Sequence, residues 1–215
     1  MKHKLFRSTT LVASMTLISR IMGFVRDVAL ASVFGAGPAF DAFAIAFKIP
    51  NFMRRLFGEG AFSQAFVPVL AEYRSKRSHD EVHAFVNHIA GTLGAVLLLV
   101  VLLAEIIAPL IIMVFAPGFI HDPLRFTYAT HMVRITFPYL LLIALTAFCG
   151  ATLNTFNRFG VPAFTPVLLN VAMIAVAVWW APHASVPIYV LAWGVLIGGV
   201  AQLLMQLPFL TRINI

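Results

Sequence analysis

The chain has 215 residues, of which 61% are hydrophobic and only 11% are charged, and its formal net charge is +7. Soluble domains carry roughly 45–50% apolar and about 25% charged residues, so this composition excludes a soluble enzyme, a disordered tail and a nucleic-acid-binding protein. The single cysteine, Cys149, excludes an internal disulfide and a cysteine-based metal site. Because about 20 apolar residues cross a bilayer as a helix, the sequence predicts an all-α polytopic membrane protein.

Six apolar segments, separated by turns rich in glycine, proline or charge, are predicted to be transmembrane helices. In chain order they are Leu5–Phe34, Phe40–Arg74, Phe85–Phe115, Leu124–Asn154, Ala163–Ala181 and Val186–Phe209. None shows the two-residue alternation of a membrane β-barrel strand. The second segment would be about 52 Å long if straight, so Pro50 and Gly58-Glu59-Gly60 predict a kink or an interruption. A cytoplasmic extension of a plain helix is the alternative for the part beyond Gly60.

The distribution of basic residues between the loops predicts the orientation. The predicted cytoplasmic segments hold eight basic residues, whereas the outer loops hold only Arg125. The positive-inside rule therefore predicts that both termini are cytoplasmic. Lys2, Lys4 and Arg7 precede an apolar run, as in a signal peptide, but Arg20 interrupts that run and no cleavage site follows. The first segment is therefore predicted to remain as a helix.

Six basic residues lie inside the predicted helices, where an ionised side chain costs about 2.5–3.5 kcal/mol at the bilayer centre. They are Arg20, Arg26, Lys48, Arg54, Arg55 and Arg134. Snorkelling of a long side chain to the headgroups explains residues near a helix end. It does not easily explain Arg20, which is about 15 residues from either end of its helix.

Helical spacing places charged residues on one face of each of the first two helices. The second helix carries Asp41, Lys48, Arg55 and Glu59 within about 40° of one another, and the first carries a stripe of Thr16, Arg20, Gly23 and Asp27 beside Ser19 and Arg26. An internal ion-pair network is the alternative interpretation. However, three acidic residues face five basic ones, so positive charge remains. The pattern predicts a lined cavity that receives an anion.

Glu105 and Arg134 lie at matching depths of the third and fourth helices. Each is ten residues from the outer end of its segment, which places both about 15 Å below the outer surface if the helices are antiparallel neighbours. We expect a structural salt bridge between them, with Pro109 and Pro138 kinking the two helices. Further along, Gly194-x-x-x-Gly198-Gly199 predicts close helix packing rather than dimerisation.

The sequence lacks the common catalytic motifs. It contains no HExxH, no GxSxG, no glycine-rich phosphate loop and no aspartate-rich Mg²⁺ motif, which weighs against an intramembrane transferase. Intramembrane charge without catalytic apparatus indicates translocation. We therefore predict a protein that is not an enzyme and has no cofactor or metal, and coupling to the membrane potential or to a cation remains open.

Several motifs closely resemble those of the MurJ (MviN) family, and the resemblance runs through essentially the whole chain. They are Arg20-x-x-Gly23-Phe24-Val25-Arg26-Asp27, Phe34-Gly35-Ala36-Gly37, Asp41-Ala42-Phe43, Phe47-Lys48-Ile49-Pro50-Asn51, Arg54-Arg55, Gly60-Ala61-Phe62-Ser63-Gln64-Ala65-Phe66-Val67-Pro68, Ala116-Pro117-Gly118-Phe119 and Asn154-Thr155-Phe156-Asn157-Arg158-Phe159. The family flips lipid II, the undecaprenyl-diphosphate-linked cell-wall precursor. It belongs to the multidrug/oligosaccharidyl-lipid/polysaccharide exporter superfamily.

The resemblance implies one lobe of a two-lobed transporter in the cytoplasmic membrane of a bacterium. Members have two helical lobes that face each other across a central cavity, and this chain resembles the N-terminal lobe alone. The implied partners are lipid II, membrane lipids, and the missing C-terminal lobe or a second chain. Another exporter of lipid-linked polysaccharide from the same superfamily and a non-transporting scaffold subunit remain as alternatives.

The resemblance also implies roles for individual residues. Arg20, Arg26 and Arg54 would line the cavity and meet the diphosphate, and Lys48 joins them because it shares the charged helical face. The implied gating residues are Asp41 near the outer gate, with Arg55 and Glu59 near the inner gate or a lateral portal.

Overall fold

The computed structural model describes the backbone of residues 2–58 and 61–215 and the side chains of residues 10–52 and 64–215. These residues form helices and connecting turns without a strand, which confirms the predicted all-α class. The α-helices are α1 (Lys2–Phe34), α2 (Pro38–Gly58), α3 (Ala61–Lys76), α4 (His79–Ile106), α5 (Ala108–Phe115), α6 (Pro123–Thr136), α7 (Tyr139–Thr155), α8 (Gly160–Ala175) and α9 (Pro187–Thr211). Short 3₁₀ turns cover Pro117–His121 and Ala181–His183, and a π-helical turn covers Val176–Trp180.

Three of the six predicted segments are divided in the structure. The second segment corresponds to α2 and α3, which end and begin on either side of the predicted interruption, although residues 59 and 60 lie outside the description. The third corresponds to α4 and α5, and the fourth to α6 and α7. The fifth begins as α8 and continues through the π-helical turn. The six segments therefore keep their order, and nine α-helices build them in the described residues.

Four stretches of the described chain are long and apolar enough to cross a membrane. They are His79–Ile106, Pro123–Thr155, Gly160–His183 and Pro187–Thr211. The first two predicted segments are not among them. The side chains of these two segments are described over residues 10–34, 40–52 and 64–74, and each of these ranges contains at least one basic residue. The membrane character is thus supported from α4 onward, and a count of six crossings remains a prediction.

A glycine and a proline form the connection between α1 and α2. Gly35 follows the last residue of α1 with a φ of +62°, a left-handed conformation in which a side chain is strained. Its N–H donates to the carbonyl oxygen of Ala31 at 3.0 Å. Pro38 then occupies the first position of α2, where its missing N–H costs no helical hydrogen bond. The two helices that carry Arg20, Arg26 and Lys48 are therefore joined by a tight turn.

Pro109 leaves one carbonyl group of α4 without its helical donor. In an α-helix the N–H of residue 109 would donate to the carbonyl of Glu105, and proline has no N–H. Nε of Arg134 donates to this carbonyl oxygen instead, at 3.2 Å. Glu105 and Arg134 are therefore in contact, as predicted, but Arg134 binds the backbone carbonyl of Glu105 and not its carboxylate. No ion pair between the Glu105 and Arg134 side chains occurs among the described residues, because the orphaned carbonyl is the acceptor that needs a donor.

Pro50 has the same effect inside α2, where it removes the donor to the carbonyl of Ala46. The buried hydroxyl of Thr136 shares its hydrogen between this carbonyl oxygen at 3.4 Å and that of Val133 at 3.3 Å. Arg134 and Thr136 both belong to the last turn of α6. One helix therefore supplies donors to the proline-disrupted backbones of two neighbouring helices.

The predicted glycine motif lies at the centre of the helix packing. A Cβ atom on Gly194 would lie 2.5 Å from Cγ2 of Val176, and one on Gly198 would lie 2.7 Å from Cδ1 of Leu169. A Cβ atom on Gly199 would lie 2.5 Å from Cδ2 of Tyr139, which is fully buried. The glycines therefore let α9 approach α7, α8 and the π-helical turn closely, which confirms their predicted role in internal packing.

Neutral polar side chains form a connected cluster between these three helices. Tyr139 donates from its hydroxyl to Oε1 of Gln202 at 3.3 Å, and Nε2 of Gln202 donates to the carbonyl oxygen of Thr165 at 3.1 Å. Nε2 of Gln206 donates to Oγ1 of Thr165 at 3.0 Å. Both glutamines are about 1% exposed, so their hydrogen bonds form inside the scaffold of α7, α8 and α9.

Candidate functional site

A hollow of about 300 Å³ lies between α1, α2 and α8. Its lining consists of Arg26, Asp27 and Leu30 from α1, Phe40, Phe43, Ala44, Phe47, Lys48 and Asn51 from α2, and Met173 from α8. The rings of Phe43 and Phe47 stack with their centroids 5.6 Å apart. The hollow thus combines an aromatic wall with the charged residues predicted for a cavity.

Arg26 is the most firmly held charged residue of the hollow. Its Nε and Nη2 atoms donate to the same carboxylate oxygen, Oδ1 of Asp27, at 3.0 and 2.7 Å. Its Nη1 atom donates to Oδ1 of Asn170 on α8 at 2.9 Å. The Arg26 side chain is 21% exposed, whereas that of Asp27 is 66% exposed. These contacts account for three of the five N–H groups of the guanidinium and leave two for a ligand.

The charged residues of the hollow leave an excess of positive charge. Arg26 and Lys48 are basic, and Asp27 is the one acidic residue of the described lining. Asp27 pairs with Arg26, while none of the ion pairs between described residues includes Lys48. A lysine beside an apolar wall attracts an anion more strongly than one in bulk water, because the local dielectric constant is lower. The hollow therefore favours an anionic group.

The structure brings together only some of the predicted substrate-binding residues. Arg26 and Lys48 share the hollow, but Arg20 is exposed and is not part of its lining. Arg20 precedes Arg26 by six residues, which places it about 9 Å away along the helix and about 120° around it. The side chains of Arg54 and Arg55, in the last turns of α2, and residue Glu59 lie outside the described residues. The roles of these four residues stay predictions.

Asp41 occupies a different place, in an ion-pair network that joins α2 to α6. Nη2 of Arg125 lies 3.0 Å from Oδ2 of Asp41, and Nη1 of Arg125 lies 3.3 Å from Oδ2 of Asp122. Asp122 also caps α6 by accepting from the backbone N–H groups of Leu124 and Arg125 at 3.1 Å. The sequence placed Arg125 in an outer loop but did not identify its partner. Asp41 is thereby fixed in the first turn of α2 and is not part of the lining of the hollow.

Asn170 contacts Arg26 of the site, although the sequence did not indicate it as a site residue. It lies in an apolar stretch of α8, is 6% exposed, and contacts α1 with both ends of its amide. A single side-chain amide in an apolar membrane helix indicates a contact with another helix, because the amide needs hydrogen-bond partners there. That signal predicts a contact but does not name α1 as the partner.

The fold and the hollow define an all-α polytopic membrane protein with a cationic site between its helices. Comparison with known proteins specifies the family: the profile described as "Lipid II flippase MurJ" matches residues 30–215. The chain therefore belongs to the MurJ lipid II flippase family, whose members are bacterial membrane proteins.

Individual relatives agree with this assignment. The chain is 48% identical over 203 residues to the "Probable lipid II flippase MurJ" of Buchnera aphidicola subsp. Acyrthosiphon pisum, covering 94% of the chain and 40% of the relative. It is 46% identical over 210 residues to the "Lipid II flippase MurJ" of Burkholderia cenocepacia, covering 98% and 41%. A solved structure, "Lipid II flippase MurJ, inward closed conformation", matches with a TM-score of 0.77 and 33% identity, covering 94% of the chain and 41% of that structure. The chain thus spans about 40% of the length of the relatives it matches.

Proposed function

We propose that this chain forms the N-terminal lobe of a lipid II flippase and that the hollow between α1, α2 and α8 receives the diphosphate of the lipid. The observation that carries the proposal is the excess positive charge of this hollow, built by Arg26 and Lys48, in a chain that belongs to a family of lipid II flippases. A guanidinium binds phosphate oxygens through charge-assisted hydrogen bonds and stays protonated at any physiological pH. Arg20 and Arg54 complete the predicted anion-binding set in this proposal.

The mechanism must move a charged headgroup through the membrane while the prenyl chain stays in lipid. In alternating access, one lobe rocks against the other and exposes the same site to each side in turn. The wall of Phe40, Phe43 and Phe47 excludes water from one side of the hollow, which strengthens the attraction between Arg26 and an anion. The second lobe, or a second chain that takes its place, closes the site opposite this wall.

The proposal includes an orientation and a driving force. Both termini face the cytoplasm in the bacterial inner membrane, so the ion pair of Asp41 and Arg125 lies at the outer side. This position supports a role for Asp41 near the outer gate, with Arg55 and Glu59 at the inner gate or portal. A headgroup with two negative charges gains about 4–5 kcal/mol per 100 mV when it moves outward across an inside-negative potential. An inside-negative potassium diffusion potential is expected to accelerate outward transport in proteoliposomes.

Labelling tests the orientation. Cys149 is the sole cysteine and is buried, so a second cysteine at an exposed position reports its own accessibility. In intact cells, a membrane-impermeant maleimide is expected to label a His121→Cys variant and to leave a Lys76→Cys variant unlabelled until the membrane is permeabilised. The reverse pattern contradicts the orientation.

A chimera tests the transport activity. The 215-residue chain replaces the matched segment of the Burkholderia cenocepacia relative, and the purified chimera is reconstituted with fluorescent lipid II. Arg26→Ala is expected to lower the initial translocation rate by about tenfold or more, because one charge-assisted contact contributes more than about 1.4 kcal/mol. Arg77→Ala is the matched control, since Arg77 is an exposed arginine that pairs with Glu81 outside the hollow.

Three outcomes contradict the proposal. Translocation by Arg26→Ala at the wild-type rate refutes the assignment of the hollow. Transport of a lipid-linked polysaccharide precursor but not of lipid II favours another exporter of the superfamily. A well-folded chimera that transports neither lipid favours a scaffold subunit.

A further inference from the structure

Asn170 connects α8 to α1 through both ends of one side-chain amide. Its Oδ1 atom accepts from Nη1 of Arg26 at 2.9 Å, and its Nδ2 atom donates to the carbonyl oxygen of Ser19 at 3.2 Å. Gly23 lies between these two contacts on α1, where a Cβ atom would be 3.8 Å from Nδ2 of Asn170. Ser19, Gly23 and Arg26 therefore form the face of α1 that rests on Asn170.

The chemistry of the amide suits the orientation of a cation that must remain available. Asp27 also holds Arg26, but a carboxylate offsets part of the attraction that the guanidinium exerts on an anion. The carbonyl oxygen of an asparagine accepts from the guanidinium and leaves its charge intact. The bond to Ser19 in turn fixes the rotation of the Asn170 amide, so the acceptor cannot turn away from Arg26.

We propose that Asn170 is a positioning residue of the anion site, which holds the plane of the Arg26 guanidinium so that its two remaining N–H groups can bind a diphosphate. The inference rests on the proposed function of the hollow. Asn170 acts through Arg26, since its Oδ1 and Nδ2 atoms are occupied by Arg26 and Ser19. A cation held in its binding orientation loses less conformational entropy when the ligand arrives.

A double-mutant cycle on the 215-residue chain in lipid nanodiscs tests this role, with farnesyl diphosphate as the probe. Asn170→Ala is expected to raise the Kd about tenfold, which corresponds to one lost orienting contact. In an Arg26→Lys background the same substitution is expected to change the Kd less than about twofold, because the planar group that Asn170 orients is absent. Asn170→Asp keeps the acceptor but adds a negative charge, and it is expected to raise the Kd further than Asn170→Ala does.

Leu169→Ala is the matched control for a purely structural effect. Leu169 is the preceding residue of α8, is 6% exposed, and packs against Gly198 of α9. Its truncation is expected to lower the thermal unfolding midpoint without changing the Kd. If Asn170→Ala behaves in the same way, or raises the Kd equally in both backgrounds, Asn170 is structural and the inference is overturned.

An Arg26→Ala variant, measured beside the cycle, separates this inference from the proposal on which it rests. If Arg26→Ala leaves the Kd for farnesyl diphosphate unchanged, the hollow is not the diphosphate site and the proposed function fails with it. If Arg26→Ala weakens binding while Asn170→Ala does not, only the positioning role of Asn170 is refuted.

Discussion

Helix α1 and the last three helices, α7, α8 and α9, differ in the kind of polar side chain that they carry. α1 has its main described contacts with α8 and the π-helical turn, and it exposes large apolar side chains such as Ile21 and Phe24 next to its charged residues. In α7, α8 and α9, the polar groups are amides and hydroxyls that bond to one another inside the packing. The charged residues of α1 therefore lie at the periphery of the described helices. The neutral, closely packed scaffold of α7, α8 and α9 determines their position.

The contact of Arg26 with Asn170 is where the two regions meet. It lets the scaffold position a charged residue without burying an uncompensated charge, which is costly at membrane depth. The difference predicts that substitutions in α7–α9 change stability, while substitutions on the charged side of α1 and α2 change anion binding with little loss of stability. Four stability predictions examine this division.

The largest effect is expected at Gly199, in the scaffold. Gly199→Ala places a Cβ atom 2.5 Å from Cδ2 and 2.9 Å from Cε2 of the fully buried Tyr139 ring. Overpacking of this kind should lower the free energy of unfolding by roughly 1–3 kcal/mol, measured by detergent-induced unfolding in mixed micelles. Gly94→Ala on α4 is the control, since nothing lies within 4 Å of its Cβ position. Equal stabilities of the two variants would show that the scaffold is looser than its packing indicates.

The two buried glutamines provide a second comparison within the scaffold. Gln202 uses both ends of its amide, whereas Oε1 of Gln206 has no hydrogen-bond partner among the described residues. Gln202→Leu is therefore expected to lower the free energy of unfolding by about 1–2 kcal/mol, and Gln206→Leu to be nearly neutral. The same unfolding measurement checks both variants, and a larger loss at Gln206 would contradict the prediction.

A third prediction concerns the hydrogen bond that Arg134 donates to a backbone carbonyl. Arg134→Gln is expected to lower the free energy of unfolding by about 1 kcal/mol, because the Glu105 carbonyl loses its donor. In a Pro109→Ala background the loss should be smaller, since residue 109 regains an N–H that can reach this carbonyl. An undiminished loss in the Pro109→Ala background would show that Arg134 contributes through some other contact.

The smallest effect is expected for the exposed ion pair between α2 and α6. Asp41→Asn should cost about 0.5 kcal/mol or less, because Asp41 is 52% exposed and such pairs contribute little in water. The effect should shrink further in high salt, as a thermal unfolding series at two ionic strengths can show. Glu72→Gln, which breaks the pair with Lys76 inside α3, provides the comparison with a pair that joins no two helices.

Much of the fold could be predicted from the sequence, because membrane helices follow from hydropathy and turns from glycine and proline. The division of the third and fourth segments near Pro109 and Pro138 follows from the missing proline N–H. The site was predictable only in part. Helical spacing indicates which residues share a face of one helix, so it found Arg26 and Lys48. It cannot indicate that Asn170, 144 residues from Arg26, lies opposite.

Contacts between segments were beyond prediction for a related reason. Matching depth in the membrane predicts that Glu105 and Arg134 are neighbours, but depth does not decide whether the carboxylate or the backbone carbonyl of Glu105 accepts the hydrogen bond. The pair of Asp41 and Arg125 depends on how a loop returns to the neighbouring helix. Both cases require the three-dimensional arrangement of helices that the hydropathy pattern alone leaves undetermined.

The donors that α6 offers to the carbonyls of Ala46 and Glu105 have a consequence for motion. A helix that has lost a hydrogen bond at a proline can change direction easily, because the unpaired carbonyl imposes no preferred angle. Because Thr136 and Arg134 donate to those carbonyls, a change of helix direction at Pro50 or at Pro109 would have to stretch or break a hydrogen bond to α6. Both proline positions are therefore hydrogen-bonded to the same helix. A displacement of α6 along its axis would then alter the shape of α2 and of the α4–α5 junction together.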